Sequence, residues 1–176
     1  MAGQRLTDKT ALEQQTGSGD LFMVVDVNDT TGSAAGTSKK IDSKYIIQTD
    51  KFSLNNTEVQ DLDSTSKVLV GALSGYMVTT FSVTVLCTYA ASTESSNNNL
   101  LFGFDDSQDL IYWDRATRFM GAKSADASYV FSGAQPGGGV DAGSLINKSF
   151  KMWSSGAFNG GWSCDVYVTY CYTKIL

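Results

Sequence analysis

The clearest hydrophobic pattern in the chain runs through residues 76–90. Apolar and hydroxyl side chains alternate there: Met77, Phe81, Val83, Val85, Cys87 and Tyr89 fall on one face, and Thr80, Ser82, Thr84 and Thr88 on the other. This alternation predicts a long β-strand with one face buried and one face wet. Burying each large apolar side chain is worth about 1.5–3 kcal/mol, so we expect this strand to anchor the core.

Shorter apolar segments follow, separated by Gly, Asp or Ser, and each is a candidate strand. They are residues 100–104, 110–113, 118–120, 129–131, 150–153 and 162–175. The last carries aromatic residues on both faces, which suits a central strand or one whose second face meets another subunit. Seven or eight short strands after an N-terminal segment predict an all-β fold, a β-sandwich of jelly-roll type.

The segment before this region has a different pattern. An apolar run at residues 21–25 is followed by a polar turn with glycine at 29–38 and a second apolar patch at 45–47. The pattern predicts two short β segments around a loop. Two strands are marginal in water, so Phe22, Val24 and Ile46 need a cover. The segment is either an edge hairpin of the main domain or a docking segment that completes its fold on a partner.

A resemblance to a known family enters at these residues. The segments LTDKTAL (6–12), DL (20–21), VVDV (24–27) and DTTGSAAGTSKKI (29–41) resemble a leader of tailed-bacteriophage virion proteins, including head fibres and tail fibres. The order of segments departs from that leader at Asn28 and at residues 43–45. The resemblance implies a virion attachment module. Its apolar docking residues would be Leu21, Phe22, Val24, Val25, Val27, Ile41 and Ile46.

Polar residues dominate 51–66, which predicts a linker to which Phe52 and Leu54 could add a short strand. The predicted organisation is an attachment segment at 1–50, a linker at 51–66 and a sandwich at 67–176. A chain of 176 residues is long enough for a domain with an appendage. One proline and 17 glycines suit an all-β fold with glycine turns.

Charge and composition narrow the function. The net charge of −5 argues against nucleic acid and anionic membranes as partners, because both need a basic surface. The N-terminus lacks the apolar core of a secretion signal, and no run is long enough to cross a bilayer. We therefore expect assembly in the host bacterial cytoplasm and a final location in the virion.

The sequence contains no histidine, which argues against serine triads and ordinary zinc sites. Three cysteines, Cys87, Cys164 and Cys171, lack the spacing of a metal cluster or a disulfide framework. Buried free thiols in a reducing compartment are the expected state. We predict no cofactor, no metal and no catalytic residue.

Three groups of residues could form a functional site, and for each a structural role is the simpler interpretation. The carboxylates at 105–109 with Asp114 favour a solvated acidic turn over a weak cation site, because the glycine and glutamate of a calcium loop are missing. Few acids besides Asp165 lie on predicted strands, so a glycosidase pair is disfavoured. Four aromatic residues favour core or subunit interface over a sugar platform; they are Tyr112, Trp113, Trp153 and Trp162.

The sequence therefore favours a non-enzymatic structural protein of a bacteriophage virion. It would dock on capsid, portal or tail by its N-terminal segment, and present the sandwich outward as a head fibre, tail fibre or capsid decoration protein. A homotrimer is expected, because a three-fold interface buries the second face of a small sandwich. The alternative is host recognition through a surface glycan, and the third hypothesis is a carbohydrate-active enzyme.

Overall fold

The computed structural model describes residues 21–32, 34–42, 46–104, 112–133 and 144–174, without the side chains of Leu21, Asp42 and Tyr112. The chain divides into two compact units, Met1–Gln48 and Thr49–Leu176. The first contains an antiparallel hairpin of two strands, β1 (Leu21–Asp26) and β2 (Thr37–Asp42). Two strands around a loop are therefore present, as predicted, but the second begins within the predicted turn and ends before Ile46 and Ile47.

Two four-stranded sheets form the second unit. The elements are β3 (Gln48–Leu54, starting at the unit boundary), α1 (Asn56–Gln60), a 3-10 turn (Asp61–Asp63), β4 (Lys67–Val70), β5 (Tyr76–Tyr89), β6 (Leu100–Gly103), β7 (Tyr112–Ala116), β8 (Ala127–Phe131), β9 (Phe150–Ser154) and β10 (Trp162–Lys174). The strand orders are β3-β10-β5-β8 and β4-β9-β6-β7. The prediction of an all-β sandwich is confirmed.

The strands pair in a nested order. The first strand of the sandwich lies beside the last, the second beside the seventh, the third beside the sixth and the fourth beside the fifth. Every described pairing register in these sheets is antiparallel. This is the order that results when one long hairpin is wrapped over two layers, as in a double Greek key.

Aromatic rings fill the space between the sheets. Phe102 is fully buried and lies 5.0 Å from Phe131 and 6.5 Å from Phe150, ring centre to ring centre. A second group surrounds Phe119, which contacts Trp162 edge to face at 4.8 Å. Such pairs add to the stability that the buried area already gives.

The long strand β5 does not follow the simple alternation predicted for it. Its register with β10 shifts between Thr169 and Tyr170, where Phe81 is the extra residue of a β-bulge. Val83 is buried beyond the bulge, but Val78 is buried before it, and Phe81 is 43% exposed. The prediction that Phe81 lies on the buried face was wrong, because one inserted residue reverses the faces.

Residues 51–66 fold onto the sandwich and do not form the predicted linker. Helix α1 begins with a capping box, in which Asn55 and Glu58 each accept a hydrogen bond from the other's backbone amide. Val59 and Leu62 are 0% and 2% exposed and join the core. The segment is polar in composition because its short helix buries only one side.

Residues 118–120, a predicted strand, form a turn. Arg118 and Met120 have φ angles of 51° and 57°, in the left-handed region that a strand never uses. The turn still buries Phe119 and Met120, each 1% exposed. The apolar pattern identified core residues here but not the backbone that carries them.

Candidate functional site

The N-terminal hairpin exposes apolar side chains on both of its faces. Phe22 and Val24 share one face, and Met23 and Val25 share the other, because side chains alternate along a strand. Their exposed fractions are 37%, 43%, 69% and 57%, and Val27 just beyond the strand is 69% exposed. Exposed apolar side chains grouped in this way mark an interaction site more often than singly scattered ones do.

The other predicted docking residues lie in less open positions. Ile41 pairs with Phe22 in register and is half-buried, as is Ile46 after β2. Leu21 begins β1, and its side chain lies outside the described part of the chain. The hairpin thus brings Phe22, Val24 and Ile41 to one face.

The loop of the hairpin is organised by Asp29. Its carboxylate accepts hydrogen bonds from the Thr31 amide at 3.0 Å and the Thr31 hydroxyl at 2.6 Å, and the Lys39 ammonium lies 2.6 Å away. The Thr37 hydroxyl donates to the Asp29 carbonyl at 2.7 Å and accepts from the Gly32 amide at 3.0 Å. Lys39, followed by Thr31, lowers the pKa of Asp29 to about 2.

Gly36 closes this loop in a conformation that other residues rarely adopt. Its φ is +110°, and a Cβ there would lie 2.7 Å from the Asp26 carbonyl oxygen and 2.8 Å from Val25 Cγ1. The loop is therefore a defined turn. Sequence reasoning found the polar turn but missed the role of Asp29, although an Asp in a turn readily accepts from the backbone amide two residues on, as in an Asx-turn.

Two of the four predicted interface aromatics are interior. Trp162 is 1% exposed, between Phe119 and Phe158, and Trp153 is 4% exposed. Neither indole N–H finds a hydrogen-bond partner in the described part of the protein. In this structure neither ring offers a face to a sugar or to a second subunit, and both lie in the core, one of the positions that the sequence left open.

Trp113 is half-buried, and its ring meets Phe150 edge to face at 5.7 Å. The register shift in β7 opposite Phe102 and Gly103 explains this inward orientation, because a bulge re-aims a side chain. Tyr112 lies at the start of β7, and its side chain is outside the described part.

Two carboxylates of the sandwich, those of Glu94 and Asp165, are held by hydrogen bonds or an ion pair. Glu94, 3% exposed, accepts from the amides of Ser96, Asn159 and Gly160 at 2.8–2.9 Å. Burial raises its pKa, but the hydrogen bond with the Ser96 side chain, together with those of the three amides, outweighs burial and leaves the pKa lowered. Asp165 accepts from Ser53 at 2.6 Å and pairs with Lys51 at 2.9 Å. Each group is held as a structural anion, a poor starting point for general acid or base chemistry.

Residues 105–109, the candidate cation turn, lie outside the described residues, and Asp114 accepts from the Arg115 amide at 2.7 Å. No group of three or more metal-ligating side chains occurs in the described ranges. Nor does any helix in these ranges have the length and apolar character needed to span a membrane.

Comparison with known proteins gives little. No protein-family model matches the chain, and no curated protein matches it. Among solved structures, it is similar to a chain of the cyanophage Pam1 capsid asymmetric unit, with 14% identity and a TM-score of 0.39 over 98% of this chain and 99% of that chain. A similarity this low does not establish a shared fold.

Proposed function

We propose that the protein is a non-enzymatic structural component of a bacteriophage virion, attached by its N-terminal unit to capsid, portal or tail. The observation that carries this proposal is the β1–β2 hairpin, whose apolar side chains are 37–69% exposed on both faces. Two strands cannot bury such side chains between themselves. Residues 6–41 resemble the leaders of virion proteins, and this resemblance suggests that the partner is another virion protein.

The hairpin suits docking because its loop is already ordered. Asp29 holds Thr31 and Lys39, so the turn does not have to be organised during binding. A preformed loop reduces the entropy lost on association. Met23 and Val25 would enter an apolar groove of the partner, and Phe22, Val24 and Ile41 would be covered from the other side.

The sandwich is the part presented outward, as a head fibre, tail fibre or capsid decoration protein. We infer a jelly roll from its strand order, since eight strands with first beside last and fourth beside fifth make two nested Greek keys. We assign it no reaction, because Glu94 and Asp165 are both held in structural contacts.

A homotrimer is part of the proposal. Leu86 and Val130 are 43% and 72% exposed on the outer face of the β3-β10-β5-β8 sheet, and Phe81 is exposed at the bulge of β5. A second copy that covered this face would bury all three. Light scattering at micromolar concentration should give three times the mass of one chain, and a monomer would contradict the trimer without affecting the docking proposal.

The alternative function, host recognition through a surface glycan, has less support. Stacking on sugars needs exposed ring faces, and both Trp153 and Trp162 are buried. A glycan site would have to use other residues. Glycan-array binding by the folded protein would favour this alternative.

The docking proposal is tested by making exposed hairpin residues polar in the full chain. The double variant Met23→Ser/Val25→Ser should fold normally, because both side chains are more than half exposed. If both are buried on docking, incorporation into virions should fall about tenfold or more. Virions are purified from bacteria that supply the variant in place of the native protein, and its content is measured by mass spectrometry.

The matched control is Leu86→Ser/Val130→Ser, which removes two exposed apolar side chains from the sandwich. It should be incorporated into virions like the native protein, even if it no longer forms the trimer. Normal loading of the hairpin variant, with an unchanged circular dichroism melting curve, would overturn attachment by the hairpin.

A further inference from the structure

Cys87 and Cys164 face each other across the two central strands of one sheet. They are register partners in the antiparallel β5–β10 pair, and both side chains point into the core. They are 3% and 5% exposed, and both thiols are free.

The backbone hydrogen bonds between β5 and β10 show whether Cys87 and Cys164 form a hydrogen-bonded or a non-hydrogen-bonded pair. The Ala90 amide donates to the Gly161 carbonyl at 2.8 Å, three register steps beyond Cys87 and Cys164. Hydrogen-bonded and non-hydrogen-bonded pairs alternate along an antiparallel ladder, so an odd number of steps makes the cysteine pair a non-hydrogen-bonded one. Opposite Cα atoms in such pairs lie about 4.5 Å apart, within the range of about 4.4–6.8 Å that disulfides span.

We propose that Cys87 and Cys164 are a latent disulfide, open in the reducing cytoplasm and closed by a peroxide after the protein has left it. The reaction with hydrogen peroxide is balanced. The O–O bond and two S–H bonds break, one S–S bond forms, and two waters leave, so that two thiols are oxidised and one peroxide is reduced. The bond would join β5 to β10 covalently.

Burial makes this step slow. It raises the pKa of Cys164 to about 12 and that of Cys87 further, with smaller effects of Cys164 and Asp126 on Cys87 and of Asp165 and Glu58 on Cys164. The thiolate that attacks the oxidant is therefore scarce until the strands open locally. We expect closure to take hours.

The third cysteine is too far away to compete within one chain. Cys171 is the register partner of Thr79, seven residues along β10 from Cys164. At about 3.3 Å per residue the separation is roughly 23 Å, well beyond disulfide reach. Cys171→Ser therefore leaves the proposed pair intact and removes the half-buried thiol most open to side reactions.

The experiment uses full-length Cys171→Ser protein, incubated with millimolar hydrogen peroxide, then denatured and alkylated with iodoacetamide. We expect both remaining thiols to become unreactive together, with an intact mass lower by about 2 Da and a single-chain band on a non-reducing gel. The thermal midpoint should rise by about 5–10 °C, and dithiothreitol should reverse every change.

Variants that keep one thiol of the pair are the controls. Cys87→Ser/Cys171→Ser and Cys164→Ser/Cys171→Ser should show no gain in thermal midpoint, and the matching alanine variants replace any serine variant that does not fold. The proposal is overturned if oxidised, natively folded Cys171→Ser protein still alkylates at both cysteines. It is equally overturned if the thiols gain oxygen, or if the only disulfide joins two chains.

Discussion

The Asp29 Oδ2 atom lies 2.6 Å from the Lys39 ammonium, across the loop that joins the two strands of the N-terminal hairpin. The same carboxylate holds the amide and the hydroxyl of Thr31. One surface carboxylate therefore fixes the turn that presents the exposed apolar strand.

The first prediction concerns the titration of Asp29. Its pKa is about 2 in the folded protein, below the ordinary 3.8, so its contribution to the hairpin is complete above 3.8 and is lost as the pH falls through about 2. Lys39→Met should raise the pKa towards 3.8. The side-chain carboxyl resonance of Asp29, followed by NMR against pH, measures both values.

Lys40→Met removes a like charge one residue further along β2, so it serves as the control and should leave the Asp29 midpoint unchanged. A midpoint near 3.8 in the native protein would show that the ion pair does not form in solution.

The second prediction concerns the buried carboxylate of Glu94. Glu94→Gln replaces an acceptor with an amide group facing three backbone donors, so the free energy of unfolding should fall by about 2–3 kcal/mol at pH 7. The pKa of Glu94 is lowered from 4.5. The difference in the free energy of unfolding between the native protein and Glu94→Gln should therefore be full above pH 4.5. It should narrow as the pH falls through the lowered pKa of Glu94. Urea unfolding at a series of pH values gives the difference.

Glu58→Gln is the comparison at an exposed carboxylate, which caps α1 and pairs with Lys67 at 3.1 Å. It should change stability far less, because exposed pairs are screened by water. Equal losses of stability in the two variants would contradict the claim that the buried carboxylate of Glu94 stabilises the fold more than the carboxylate of Glu58 does.

The third prediction separates backbone strain from steric overlap at two glycines. Gly133 and Gly75 have φ angles of +63° and +79°, so alanine is strained at both. A Cβ at Gly133 would also lie within 2.6 Å of the Trp113 ring, whereas Gly75 has open space around it. Gly133→Ala should cost about 1–3 kcal/mol more than Gly75→Ala in thermal unfolding.

Equal losses at the two glycines would mean that the Trp113 ring moves away without cost. Near-ultraviolet circular dichroism reports that movement directly, since the tryptophan signal depends on how the ring is packed.

The fourth prediction tests the bulge in β5. In the monomer, at concentrations too low for the proposed trimer, Phe81→Ser should alter the free energy of unfolding by less than about 1 kcal/mol, because Phe81 is 43% exposed in the single chain. Val78→Ala should cost about 1.5–3 kcal/mol, because Val78 is 1% exposed. The reverse order would mean that the strand keeps the uninterrupted alternation seen in its sequence.

This bulge also marks how far the sequence could predict the fold. The apolar patterns predict strands β5, β9 and β10 almost to the residue, and in β10 one buried face gives a clear period-two signal from Trp162 to Tyr170. The register shift opposite Thr169 leaves no such signal, since it depends on which strand lies alongside. Phe81 was therefore assigned to the wrong face.

The linker prediction failed for a related reason. Residues 51–66 are polar on average, and the average hides Val59 and Leu62, which reach the core from a helix and a 3-10 turn. Leu54, expected to add to a short strand, lies in β3. Few apolar residues suffice when a short helix buries only one side. The capping box at Asn55 and Glu58 was the available signal for this helix.

The candidate site was predicted as a set of apolar positions, but not as a geometry. Which of them stay exposed is decided by what packs over them, and the sequence does not contain that information locally. The burial of Trp153 and Trp162 likewise depends on which residues pack around them. An aromatic residue fits a core and a binding surface equally well until its neighbours are known.

The neighbouring positions of β3 and β10 set the order in which the protein can fold as it leaves the ribosome. The Thr49 and Thr169 hydroxyls lie 2.9 Å apart although 120 positions separate them in sequence, so this sheet cannot close until Thr169 has been synthesised. The hairpin needs only residues 21–42 and local contacts, which form fast. During synthesis the exposed apolar hairpin can therefore pair before the sandwich exists.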